Sequence, residues 1–229
     1  MPTTIRADLF SARAEPDRDC PRCARLADFR RQAREREPGW FNAPVPAFGA
    51  PSARLLIVGL APGLQGANRT GRPFTGDYAG DLLYATLLEF GFAAGVYAAR
   101  PDDGLRLVET AIVNAVRCVP PQNKPLPAEM AQCRPFLEAA LDEMPRLHTI
   151  VALGRIAHES VLRAASAKLS GHPFGHGAEF ALPIGGRDVG LIDSYHCSRY
   201  NTNTGVLTPA MFRAVFARAR ERLGPVKRR

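Results

Sequence analysis

Long hydrophobic runs are missing from these 229 residues. No apolar stretch approaches the roughly 18 residues of a membrane span, so no membrane association is expected. The opening MPTTIRADLFSARAEPDRDC lacks the apolar core of a secretory signal, which predicts a cytoplasmic protein. Nucleotide signatures are missing too. There is no G-x-x-x-x-G-K-[ST], and Gly59, Gly63 and Gly66 do not make G-x-G-x-x-G, so a nucleotide cofactor is not expected. Lysine is scarce: nearly all of the 30 basic residues are arginine. Cysteine is sparing, at five, and in a reducing compartment these are not expected to pair as disulfides.

What is present fits one α/β domain with a sizeable core, at 46% hydrophobic residues. The net charge of +8 predicts affinity for a polyanion, and arginine is the better residue for bidentate phosphate contacts. A GC-rich genome accounts for much of the arginine bias but not for the surplus of positive charge.

The chain alternates short apolar runs with amphipathic segments. Residues 1–18 read as a flexible leader. Residues 20–50 form an N-terminal segment with a charged helix up to Glu37, followed by a Pro-rich extended stretch. Strands are predicted at Leu55–Val58, Ala111–Val116, His148–Leu153 and Val189–Ile192, and helices at Asp81–Phe90, Pro127–Glu143, Arg155–Ser166 and Thr208–Leu223. Residues 168–187 read as loop with short extended pieces. This order predicts a three-layer α/β/α sandwich with a mostly parallel central sheet.

Ligands in open α/β sheets bind at the carboxyl ends of strands. There the sequence places three polar loops: Gly59–Asp77, the segment after Asn114, and Ser194–Gly205. Asn114 puts one amide in a buried strand, where something must satisfy it. His172 and His176 stand four apart, but the Pro and Gly between them argue for a loop rather than a metal site.

Cys20-Pro-Arg-Cys23 is a C-x-x-C pair, and Cys118 and Cys133 make a second, widely spaced pair. Four thiolates suit either a structural Zn²⁺ or an iron–sulfur cluster, and the second spacing fits no common zinc ribbon. A redox C-x-x-C normally follows a strand, whereas this one lies in a charged N-terminal segment.

Three segments taken together, GLAPGLQGANRTGRPFTGD (59–77), AIVNAVRCVPPQNKP (111–125) and SYHCSRYNTNTG (194–205), resemble the uracil-DNA glycosylase superfamily, specifically its iron–sulfur branch, family 5. The resemblance runs from residue 20 to about 222. It implies a uracil-DNA glycosylase-like fold and a monofunctional glycosylase of base-excision repair. Such an enzyme flips uracil, and with it hypoxanthine or xanthine, out of DNA and hydrolyses the N-glycosidic bond. It implies a [4Fe–4S] cluster on Cys20, Cys23, Cys118 and Cys133, with a structural role.

Residue by residue, the resemblance implies that His196 donates to the base oxygen that gains charge, and that Asn114 meets the base edge. It implies that Phe74 stacks on the base and that the backbone of Gly59, Leu60, Ala61 and Gly63 borders it. Ser198 and Arg199 would enter the minor groove. Many relatives carry a polar activating residue where this chain has Ala61, so Asp77 is the residue expected to orient the water. The expected partner is DNA containing deaminated bases, bound by a monomer. Two other readings remain at this stage: a non-catalytic iron–sulfur module that senses DNA damage, and a hydrolase or transferase acting on free nucleotides.

Overall fold

Apolar runs too short for a helix become the buried strands. The computed structural model describes residues 9–224. Its strands are β1 (Phe48–Gly49), β2 (Leu55–Gly59), β3 (Ala93–Ala94), β4 (Arg106–Leu107), β5 (Thr110–Asn114), β6 (Thr149–Leu153), β7 (Glu179–Ile184) and β8 (Arg187–Ser194). The main sheet has the order β1-β5-β2-β6-β8-β7. Its four inner strands are parallel, and β1 and β7 run antiparallel at the two edges. The pair β3–β4 forms a separate small hairpin.

Strand period two explains why β2 has no polar face. Leu55 and Ile57 point into one core while Leu56 and Val58 point into the other. The helices are α1 (Ala24–Arg36), α2 (Ala67–Thr70), α3 (Tyr78–Glu89), α4 (Pro127–Asp142), α5 (Arg155–Ala164), α6 (Arg199–Asn203) and α7 (Pro209–Leu223). Leu83 and Leu87 of α3 pack with Phe212 and Phe216 of α7 in the first core. Leu137 and Leu141 of α4 pack with Ala157 and Val161 of α5 in the second. Each fully buried Leu, Val or Phe among these is worth about 1.5–3 kcal/mol. The result is the expected α/β/α sandwich. Among the described residues no helix is long and apolar enough to cross a membrane.

The amino-terminal segment differs from the loose leader expected over 1–18. Residues 1–8 lie outside the described residues. Beyond them, Ala14 is wholly buried, and Ser11 N donates to Glu143 Oε2 at 2.8 Å. The Arg117 guanidinium, also buried, donates to the Ala14 carbonyl (3.0 Å), the Val45 carbonyl (3.2 Å) and Glu15 Oε2 (3.2 Å). A buried cation must find such partners, and it finds them in this segment.

Candidate active site

The loops that leave the carboxyl ends of β2, β5 and β8 enclose a cavity of about 520 Å³. Leu60, Ala61, Gly63, Phe74, Asp77, Asn114, His196, Ser198 and Arg199 all line it. Segments far apart in the chain are thus brought to one place by the parallel sheet. Gly59 is the exception among the residues expected to border a base, since it is not part of the lining. A side chain there would run into the Asn114 amide and come within 2.6 Å of Phe74 Cζ. Its bare backbone lets those two residues stand together, a spacing role rather than a contact.

Asn114 is the last residue of β5, in register with Gly59, and only 3% exposed. Its Oδ1 is buried and has no hydrogen-bond partner. Leaving such an acceptor unmet costs about 1–3 kcal/mol, and a ligand N–H in the cavity would meet it. The Phe74 and His196 ring centroids lie 6.1 Å apart and the rings are tilted by 31°. Burial pushes the His196 imidazole down to about 4, with no charge or hydrogen bond contributing. It is therefore a neutral ring at pH 7, with one N–H to give. Asn201 Nδ2 donates to the His196 carbonyl at 2.9 Å and steadies the loop.

Asp77 caps α3, its Oδ1 accepting from Gly80 N at 3.2 Å. Burial raises its carboxyl above the ordinary range, the Gly80 and Ala79 N–H groups oppose the rise, and Asp81 adds to it. The second oxygen faces Gly63 and Gly66, and a methyl at Gly66 would collide with it. At the rim the Arg199 guanidinium lies 5.3 Å from the Tyr78 ring centroid. Tyr78 and Asn123 also line the cavity and were not singled out from sequence. Asn123 arrives through two successive left-handed residues, Gln122 and Asn123, both at φ 56°. The polar Gln-Asn step between prolines is the signal that marked this turn.

The four paired cysteines line a second, smaller cavity with Leu26, Val116 and Phe136. Burial pushes Cys23 up to about 11 and Cys118 up to about 12; repulsion from Cys133 and Cys20 adds to both, and Arg30 opposes the rise at Cys118. Cys20, Cys23 and Cys118 belong to one packed cluster with Cys133. Two donors already face them: Arg30 Nη1 to Cys118 Sγ at 3.2 Å and Arg117 N to Cys133 Sγ at 3.3 Å. Arg30 Nε is buried without a partner. Donors of this kind suit charged sulfur better than neutral thiol, so the residues fit a thiolate-bound metal group. Among the described residues no three His, Cys, Asp or Glu side chains are grouped as ligands of a metal ion. Arg25 pairs with Glu129 through two 2.7 Å bonds and ties α1 to α4 beside the cavity.

Three other histidines make internal hydrogen bonds. His172 Nδ1 donates to the Lys168 carbonyl at 2.8 Å, while His176 Nδ1 accepts from Tyr195 N at 3.1 Å, so the two do not converge on a metal. His158 places its ring nitrogens 2.8 Å from Asp193 Oδ1 and 2.9 Å from the His172 carbonyl. Burial opposes its charge, but the Asp193 bond and charge outweigh burial and raise its pKa. Cys197 is wholly buried in the core.

The family model described as the uracil DNA glycosylase superfamily matches residues 46–220. A type-5 uracil-DNA glycosylase of Thermus thermophilus is 47% identical over 211 residues, covering 90% of this chain and 94% of the relative. One of Mycobacterium tuberculosis is 42% identical over 214 residues, covering 90% and 78%. One of Pyrobaculum aerophilum is 36% identical over 205 residues, covering 88% of each.

Proposed function

The chain belongs to the uracil DNA glycosylase superfamily, among its type-5 members, and on that premise we propose that it excises uracil from DNA by hydrolysing the N-glycosidic bond. The product is an abasic site, the entry point to base-excision repair. The observation that carries the proposal is the orphaned Asn114 Oδ1, set in a cavity beside the Phe74 ring and a neutral His196.

The reacting sugar carbon is unreachable inside a duplex, so the nucleotide must swing out into the cavity. Phe74 supplies a face for the base, and Asn114 accepts the uracil N3–H through its unmet oxygen while its NH₂ donates to the neighbouring carbonyl. As the bond breaks, negative charge gathers on the base and positive charge on the sugar. His196 donates its one N–H to the base oxygen that gains charge. A neutral donor held in place is enough, because the hydrogen bond strengthens as the charge develops. Asp77 orients the attacking water and offsets the sugar cation, its Oδ1 anchored by the helix it caps. Ser198 and Arg199, on the rim, fill the gap left in the stack.

The cavity volume of about 520 Å³ supports admission of purines as well, so hypoxanthine and xanthine are included in the proposed range. Action as a monomer is part of the same proposal. Cys20, Cys23, Cys118 and Cys133 are proposed to hold a [4Fe–4S] cluster. Bound there, it would supply a rigid crosslink between the N-terminal segment and the loop after β5.

Oligonucleotides carrying one altered base each, scored for abasic sites, test the activity. Excision of uracil, and of hypoxanthine and xanthine, is expected, and no cleavage of any of them overturns the reading. A brown protein with iron and sulfide is expected. A colourless protein holding zinc instead overturns the cluster.

A further inference from the structure

Phe74 holds its backbone at φ 52°, in the left-handed region. A bulky side chain there costs about 1–3 kcal/mol unless its surroundings enforce it. They do. Tyr84 Oη donates to the Pro73 carbonyl at 2.6 Å, and Tyr97 Oη donates to the Phe74 carbonyl at 3.4 Å. Arg72 Nε donates to Thr75 Oγ1 at 2.7 Å, and the Thr75 carbonyl accepts from Thr70 Oγ1 at 3.0 Å. The two Arg72 Nη groups grip both oxygens of Asp103, at 2.8 and 2.7 Å. The rings of Tyr84 and Tyr97 flank the guanidinium at 5.4 and 5.8 Å.

Asp103 belongs to the connection between β3 and β4, which accounts for no residue of the cavity lining. Its carboxylate also accepts from Ala98 N at 2.9 Å and Leu105 N at 3.0 Å, which organises that connection around it. The Arg72 guanidinium holds the carboxyl well below the usual carboxylate range. Gly80 completes the enclosure: a side chain there would strike the Phe74 carbonyl and come within 2.6 Å of the Tyr97 hydroxyl.

We propose that the Arg72–Asp103 pair and the Tyr84 and Tyr97 hydroxyls are positioning residues that lock Phe74 in its left-handed conformation, so that the β3–β4 hairpin fixes the ring on which an extruded base stacks. This rests on the stacking role proposed above for Phe74. Without the lock, Phe74 relaxes toward negative φ, Cβ swings, and the ring leaves the cavity wall. The loss falls on the flipped state, while contacts to phosphate persist.

The test uses Tyr84→Phe/Tyr97→Phe, which removes two hydroxyls and little else, beside Asp103→Asn and Arg72→Lys. On a uracil-containing duplex, kcat is expected to fall about 10-fold for the tyrosine pair and about 100-fold for Asp103→Asn, with KM unchanged. Arg72→Lys keeps the charge but loses the fork, and should resemble Asp103→Asn. A crystal structure of the tyrosine variant should show Phe74 at negative φ. Wild-type kcat, an equal loss in affinity for undamaged duplex, or Phe74 unmoved in the crystal overturns the proposal. If the wild-type protein excises nothing, the functional reading fails, and the crystal structure alone still decides whether the lock exists.

Discussion

Asn114 and Cys118 leave the same strand end, yet the cavities they enter differ in what is left unmet. In the base cavity an acceptor stands unpaired, a histidine is kept neutral, and Phe74 is held against its own backbone preference. In the cysteine cavity guanidinium and amide donors already point at sulfur, and an Arg25–Glu129 pair closes the flank. The first is arranged for a ligand that comes and goes. The second suits the resident cluster proposed above. Substitutions should therefore separate activity from stability in opposite directions in the two places.

The largest effect on excision is expected from His196→Ala. Loss of a donor aimed at developing charge should slow single-turnover excision about 10²–10³-fold while duplex affinity holds. Equal losses in both would dissolve the distinction between the cavity and its surroundings. Asn114→Leu comes next. It should cost about 10–100-fold in rate, yet leave thermal stability equal or higher, because an unmet buried acceptor disappears. A lowered melting temperature would show that the amide has a structural partner after all.

Cys118→Ser should do the reverse. Bound iron should fall, and the melting temperature should drop by about 2–4 °C for each kcal/mol lost, with a smaller effect on the rate of the fraction still folded. Iron content and calorimetry check it. The smallest effect is in pH. With His196 near 4, no inflection should appear near 6.5. An acid limb should instead follow Asp77, whose carboxyl is raised, so the rate falls as pH drops and the limb vanishes in Asp77→Asn. Stability carries its own sign. Between 6.5 and about 4 the unfolded chain binds a proton at His196 that the folded chain refuses, so acid lowers stability over that window.

The layered fold was legible because each inner strand is a short apolar run between turn residues, as Leu55–Val58 shows. The three loops were legible because each polar stretch follows such a run. Edge strand β1 and the β3–β4 hairpin were not, since pairing across two residues leaves no period to detect, and β7 falls in a stretch that reads only as loop with short extended pieces. Nor was the enclosure of Phe74, because Arg72 meets Asp103 only through the folded topology. Gly59 was read as a neighbour of the base, but tightness against Asn114 and Phe74 is a fact of three dimensions. The packing of the leader was not legible, because a charged stretch gives no period by which to find Phe10 and Ala14, which pack with Ala139 and Ala140.

The Arg117 anchor bears on how this protein can be shortened. The family match begins at residue 46, and a fragment cut to that boundary would look complete on paper. It would strip the Arg117 guanidinium of its carboxylate and of both carbonyls, those of Ala14 and Val45, a loss of about 3–5 kcal/mol, comparable to the whole margin by which many domains stay folded. Trimming should stop ahead of Ser11, where the belt is fastened to Glu143.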